Sequence, residues 1–346
     1  MKFCTLTACG ALAAASVAPA LADTLVVNSY GGPYEPLIEE RIIKPFEEKT
    51  GIDVVYDAVG SSSQDFAKIK ATGGRPGFDV VVMTASQSLQ GCDEGLLEKF
   101  DTTKVPNLAK LNPKVSEMAG PCGAVHEIQY LSLLWRTDKL AQAPDSRMVL
   151  ADPALADKII LPSFFNIMAT NLIQVLSVAN GGDMYENVEP GFEALKKIAA
   201  NTLGFEQSSA IMEKFLRDGQ AVAMASWSGR AQLMVDEGLP VEYTRPKEGS
   251  IPLIATLNIP AGSQNKEAAF KFVDFFLEKA QQEAWVTGYQ VGSIRNDIEV
   301  PAEVRARQIT TEADLEGLLL PDLRIVTEKM RDWGSRWERE VVPAAN

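Results

Sequence analysis

Histidine is almost missing from this chain: His126 is the only one in 346 residues. That excludes metal sites built on two or more imidazoles. It also leaves a Ser-His-Asp triad possible only through His126, which lies in an extended run beside Glu127 rather than at a nucleophile elbow. A lone histidine there reads as structural. No Gly-x-Ser-x-Gly, no phosphate-binding Gly-x-x-x-x-Gly-Lys and no dinucleotide fingerprint occurs. The seven tyrosines are dispersed, which argues against phenolate capture of ferric iron. Blocks of basic residues are absent and the formal charge is −13, so nucleic acid and anionic membranes are poor partners. No apolar run is long enough to span a bilayer. Internal repeats and low-complexity segments are absent as well.

Cysteine is scarce too. Of four, Cys4 and Cys9 fall in residues 1–22, which read as a cleavable export signal. Lys2 supplies the positive start, Ala8 to Ala18 the apolar run and Ala20-Leu21-Ala22 the cleavage site, so the mature chain is expected to begin at Asp23. Leu6-Thr7-Ala8-Cys9 resembles a lipoprotein box but has no apolar region before it, and lipid attachment is not expected. Export puts the chain outside the cytoplasm, in an oxidising compartment without ATP. The remaining pair, Cys92 and Cys122, then reads as a disulfide. Closing that loop would stabilise by about 3–4 kcal/mol in the chain-entropy model. Two buried free thiols are the alternative. Gly91-Cys92 and Pro121-Cys122-Gly123 lie in turn-rich segments expected to be exposed.

What is present is ordinary globular material, 46% hydrophobic and 23% charged, with length for two domains. Leu25, Val26 and Val27 form a buried strand, and Ser29-Tyr30-Gly31-Gly32 breaks it. Glycines there permit angles that a side chain forbids, and Pro33 suits a first helical turn. Leu37, Ile38, Ile42, Ile43 and Phe46 recur at helical spacing up to the stop at Lys49-Thr50-Gly51. A strand end that opens a helix presents free N–H groups and a positive dipole where ligands bind in open α/β sheets. A plain strand-to-helix connection would look the same.

Further βα units follow. Ile52 to Tyr56 and Phe78 to Met83 read as strands, the second followed by Thr84-Ala85-Ser86-Gln87. Val125 to Trp135 is a long extended run in the middle of the chain. Then come a strand at Lys158 to Leu161 and helices at 164–180, 190–200 and 206–217. A strand at Ala221 to Ala225 is broken by Ser226-Trp227-Ser228-Gly229-Arg230. Val241 to Thr244 and Pro252 to Ile259 are extended. Helices follow at 266–278 and 280–287, with a turn at Gly288-Tyr289-Gln290-Val291-Gly292. A last helix runs from about Asp322 to Val342, with Trp333 and Trp337 one turn apart and read as packing. Alternation of this kind implies mostly parallel sheets, here as two lobes with a cleft.

The strand ends supply the candidate ligand-binding residues: Ser29, Tyr30, Gly31, Gly32, Thr84, Ser86, Gln87, Trp227, Arg230 and Tyr289. Aromatic walls with few polar anchors suit a small organic ligand. Arg230 offers a fork for a carboxylate or phosphonate, and its place at a helix start, unfavourable to a cation, calls for a partner. None of these residues is a histidine, aspartate or glutamate, so no acid–base pair is available and the chain is not expected to be an enzyme. No cofactor and no metal is expected.

The chain resembles the polyamine-binding type of extracellular solute-binding protein, the periplasmic component of an ABC importer. The residues that carry the resemblance are Phe46 to Val54, Phe78-Asp79-Val80-Val81, Trp227-Ser228-Gly229, Pro246-Lys247-Glu248-Gly249, Leu257 to Gly262, Ala268 to Val273 and Gly288-Tyr289, in that order and spacing. It implies an α/β type II periplasmic binding protein with two lobes, a ligand cleft and two hinge crossovers. The expected division is 23–128 plus 255–298 for the N-terminal lobe and 129–254 plus 299–346 for the C-terminal one. It also implies a periplasmic location, a membrane permease as partner, a monomer and no catalysis.

The ligand residues depart from the polyamine pattern. Tyr30-Gly31-Gly32 stands where the family shows an aromatic–acid–aromatic cluster, and Phe164 and Ile167 where it carries acids. Leu253 and Ala255 replace a tryptophan and an aspartate, and Arg230 replaces a small residue. Trp227 and Tyr289 keep the family's aromatic positions. A dication would lack counter-charges and face a guanidinium, at several kcal/mol. The expected ligand is therefore a carboxylate-bearing or zwitterionic amine compound. A polyamine, or an enzyme or sensor role on the same fold, are the competing readings.

Overall fold

A strand of thirteen residues, Ala124–Arg136, runs through the centre of the molecule, and every residue in it is buried. The protein is seen here as a computed structural model that describes residue 1 and residues 24–32, 34–58 and 61–345. The export signal, the start at Asp23 and Pro33 lie outside the described residues.

In chain order the strands are β1 (Leu25–Asn28), β2 (Val54–Asp57), β3 (Val80–Thr84), β4 (Ala124–Arg136), β5 (Ile159–Pro162), β6 (Thr202–Glu206), β7 (Ala223–Trp227), β8 (Val241–Thr244) and β9 (Pro252–Asn258). The first helices are α1 (Tyr34–Ile38), α2 (Lys44–Thr50), α3 (Ser62–Ala71), α4 (Ala85–Asp93) and α5 (Pro113–Ala119). Then come α6 (Ile167–Ala179), α7 (Glu189–Ala199), α8 (Ser209–Arg217) and α9 (Ser228–Asp236). The last are α10 (Lys266–Phe276), α11 (Lys279–Tyr289), α12 (Ala302–Arg305), α13 (Glu312–Glu316) and α14 (Leu323–Arg336).

The opening stretch behaves as its pattern requires. β1 ends at Asn28, and Gly32 takes a φ of +70°, open to glycine but strained for other residues. α1 and α2 are joined by a π-helical turn, Glu39–Ile43. Ile38, Ile42, Ile43 and Phe46 form the buried stripe, and Phe46 packs edge-on against Phe272 and Phe275. Gly51, at φ +72°, ends α2 with its N–H on the Glu47 carbonyl.

The strands align in the order β2-β1-β3-β9-β4-β7-β5-β6, with β8 also on β4. β4 is shared between two halves. Ala124 to Tyr130 pairs with β9, Leu131 to Trp135 with β7 and Leu133 to Arg136 with β8. The expected mostly parallel pattern holds only for the outer strands, β1 with β2 and β3, and β5 with β6 and β7. The central pairings are antiparallel. The cause is topological: β4 carries the chain from one half to the other and β9 brings it back alongside. A third passage follows α11, where Gly292 bridges Ile128 and Leu318 bridges Ser250.

Several elements differ from the sequence reading. The polar run after β3, to which the sequence pattern assigns no helix, opens helix α4. β6 occupies residues 202–205, to which the pattern assigns no element, and Glu206, expected to open the helix that instead begins as α8 at Ser209. α6 starts at Ile167, capped by the Asn166 side chain on the Met168 N–H, which leaves Phe164 and Phe165 in the turn before it. α11 continues through Gly288 to Tyr289, and the turn falls on Gln290 at φ +56°. Cys92 and Cys122 do form a disulfide, with Cα atoms 5.6 Å apart. It joins α4 to a fully buried Cys122 rather than linking two exposed turns. Trp333 and Trp337 are buried in packing, as their spacing suggests.

Candidate ligand-binding site

A cavity of about 390 Å³ opens between the two halves. From the β1–β3 side, Thr84, Ser86, Gln87 and Gln90 line it at the end of β3 and along α4. Phe164, Phe165, Ile167, Asn171 and Gln174 face them from the turn before α6 and from α6 itself. Leu253 and Ile254 of β9 lie on the connection between the halves, and Leu323, Val326, Met330 and Arg331 of α14 line a further wall. Thr84 sits at the N-cap of α4. Its hydroxyl bonds the side chains of Ser86, at 2.9 Å, and Gln87. Among the described residues, no aspartate or glutamate lines the cavity.

A second cluster is built at the end of β1. Tyr30 meets Tyr34 edge-on at 5.4 Å and shares a hydrogen bond with the Ser62 hydroxyl at 2.7 Å. Tyr34 packs on Trp285 and Tyr289, and its hydroxyl lies 3.0 Å from His126 Nε2. Glu127, left out of the sequence-based site, is a buried carboxyl of this region. Its Oε2 accepts from Trp285 Nε1 and its Oε1 from Gln129 Nε2, both at 3.0 Å. Gln129 Oε1 in turn accepts from the Gly229 N–H at 3.1 Å, which opens α9. Burial pushes the Glu127 carboxyl up to about 7, against the pull of those two donors. Burial also drives His126 down to about 3, so it stays neutral and structural.

Arg230 has the partner its position demanded, but the partner is internal. Its Nε donates to Glu213 Oε1 at 2.5 Å and its Nη2 to Oε2 at 2.9 Å. Burial works against its charge, yet Glu213 outweighs that and holds the guanidinium above its usual range. The fork expected to meet a ligand carboxylate is filled from α8.

Of the ten sequence-based residues, Thr84, Ser86 and Gln87 line the cavity. Ser29, Trp227 and Tyr289 are buried. Tyr30, with Gly31 and Gly32, stands beside the aromatic cluster, and Arg230 is locked to Glu213. Phe164, Ile167 and Leu253 had a signal in the sequence, since they stand where acids or a tryptophan were expected from the resemblance. Phe165, Gln174, Met330 and Arg331 had none, because nothing local says which face of α6 or α14 meets the cavity. Among the described residues no group of histidine, cysteine, aspartate and glutamate could hold a metal ion. No helix among them is long and apolar enough to cross a membrane.

Residues 41–311 match the family described as bacterial extracellular solute-binding protein. A spermidine/putrescine-binding periplasmic protein of Salmonella typhimurium is 23% identical over 98% of this chain and 94% of its own length. A gamma-aminobutyric acid-binding protein of Pseudomonas aeruginosa is 26% identical over 88% of this chain and 87% of its own. The periplasmic binding protein AgtB of A. tumefaciens R10, solved with agropinic acid, superimposes with a TM-score of 0.77 at 18% identity, over 93% of this chain and 99% of that one. The family match covers most of the chain. This chain belongs to the bacterial extracellular solute-binding proteins, as the solute-binding component of an ABC transporter.

Proposed function

We propose that the protein captures a small carboxylate-bearing or zwitterionic amine compound in the periplasm and delivers it, chemically unchanged, to a membrane permease. The observation that carries this reading is the lining of the cavity. It draws on both halves of the fold and contains neutral amides, hydroxyls and apolar walls but, among the described residues, no carboxylate. A putrescine or spermidine molecule keeps two or more ammonium groups, and desolvating them without counter-charge costs several kcal/mol. Two buried acids, Glu127 and Glu213, are engaged within the protein: Glu127 by Trp285 and Gln129, Glu213 by Arg230. A relative named for gamma-aminobutyric acid supports a carboxylate-bearing amine, and one named for spermidine and putrescine supports the polyamine alternative. The lobes divide as 23–128 with 255–298 and 129–254 with 299–346. Closure turns on β4 and β9, and the protein works as a monomer.

Isothermal titration with gamma-aminobutyrate, putrescine and spermidine tests the ligand class. Submicromolar binding of either polyamine reverses the charge argument. A ligand recovered chemically altered after incubation would make the chain an enzyme.

A further inference from the structure

We propose that Arg331 is the anion anchor of this cavity, a role that rests on the carboxylate reading above. α14 presents Leu323, Val326, Thr327, Met330 and Arg331 to the cavity. Those positions recur every three to four residues and form one helical face. Arg331 is the polar end of that face and, among the described residues, the only lining residue with a formal charge. The other arginines of α14 are engaged. Arg324 bonds both carboxylate oxygens of Asp93, and Arg336 bonds Glu340 and Glu189. Arg331 makes no hydrogen bond or ion pair among the described residues. An unpaired fork at the rim of a cavity without acids attracts a carboxylate and repels an ammonium.

The rest of the lining narrows the class further. Gln174 of α6 is fully buried and its Oε1 accepts no hydrogen bond, while its Nε2 donates to the Met184 carbonyl. A donor on the ligand, such as an amine, would satisfy that oxygen. Phe165 is 77% exposed at the cavity, an apolar ring left to be covered by ligand. The matching ligand has a carboxylate at one end, a hydrogen-bonding amine and an apolar body against Phe164, Phe165 and Ile167. Arg331, and not the paired Arg230, reads its charge.

The test uses isothermal titration of the wild type, Arg331→Ala and Arg331→Lys. The probes are gamma-aminobutyrate and L-phenylalanine, each with its primary amide, and putrescine. The wild type should prefer at least one acid over its amide by about tenfold or more, the worth of one charge-assisted contact. Arg331→Ala should abolish that preference, and Arg331→Lys should restore part of it. Arg331 is exposed and unpaired, so both variants should melt with the wild type. If the acid binds Arg331→Ala as tightly as the wild type, the anchor assignment fails and the carboxylate reading stands. If putrescine binds and no acid does, or if no acid in the panel binds, the carboxylate reading fails and the anchor falls with it.

Discussion

Glu213 grips Arg230 with both carboxylate oxygens, at 2.5 and 2.9 Å, across the gap between α8 and α9. Both side chains are largely buried, Arg230 at 17% and Glu213 at 8% exposure. The pair explains how a cation survives in the first turn of α9, where the helix dipole opposes it. Glu213→Ala should therefore destabilise the protein by about 3–5 kcal/mol, because it strands a buried guanidinium. The double variant Glu213→Leu with Arg230→Met should recover most of that loss. Urea midpoints of the three proteins check this. Loss of ligand affinity in Arg230→Ala without any loss of stability would contradict the internal role and return Arg230 to the binding site.

Glu127 should give the fold a measurable pH dependence. Its folded value, about 7, stands above the ordinary 4.5 because the carboxyl is buried. The folded state then keeps a proton that the unfolded chain has released, so this group's contribution is fully present below pH 4.5 and is lost as pH rises through 7. The gap corresponds to at most about 3 kcal/mol. His126 has the opposite sense. Its folded value, about 3, lies below 6.5, so its contribution falls away as the solution becomes more acid than 6.5. The two overlap, and the wild-type profile alone cannot separate them. The difference between wild type and Glu127→Gln can: it should fall between pH 5 and pH 8. A difference that stays flat over that range would place the Glu127 carboxyl at its ordinary value.

The Cys92–Cys122 bond closes a loop with a sequence separation of 30. Its removal in Cys92→Ala with Cys122→Ala should cost about 3–4 kcal/mol, mostly through a freer unfolded chain. Ligand affinity should change little, since neither cysteine lines the cavity. Thermal melts with and without reductant, read beside a titration, separate the two effects. An unchanged melting temperature on reduction would argue that the unfolded chain stays compact without the bond.

Periodicity made much of this fold legible. The thirteen-residue extended run at β4 could be little else, and the stripe Ile38, Ile42, Ile43 and Phe46 set the buried face of its helix. α4 escaped notice because Ser86, Gln87, Ser88 and Gly91 dilute its pattern, and β6 because Gly204 interrupts it. Arg230 could be marked as needing a partner, since a helix dipole is local. Glu213 could not be named, because the pairing depends on how α8 docks beside α9. The same limit hid Arg331. Its helix was legible, and so was the packing role of Trp333 and Trp337, but which remaining face meets the cavity is settled by tertiary docking. The exchange of acids for Phe164 and Ile167 was the strongest site signal in the sequence, and it concerned charge that is absent.

That absence can be reversed. Ile167 is the first residue of α6, half-buried and part of the cavity wall. An acid fits there, because the helix N-terminus favours negative charge and the Asn166 cap stays in place. Ile167→Glu should weaken binding of a carboxylate ligand by about tenfold or more through like-charge repulsion at close range. Combined with Arg331→Ala, which removes the opposing cation, it should also raise putrescine affinity from the wild-type level. Titration of both ligands into the single and double variants gives the comparison. If the acid binds Ile167→Glu as well as the wild type, and putrescine gains nothing in the double variant, the ligand does not reach the α6 wall. Specificity would then have to lie nearer the tyrosine cluster around Glu127.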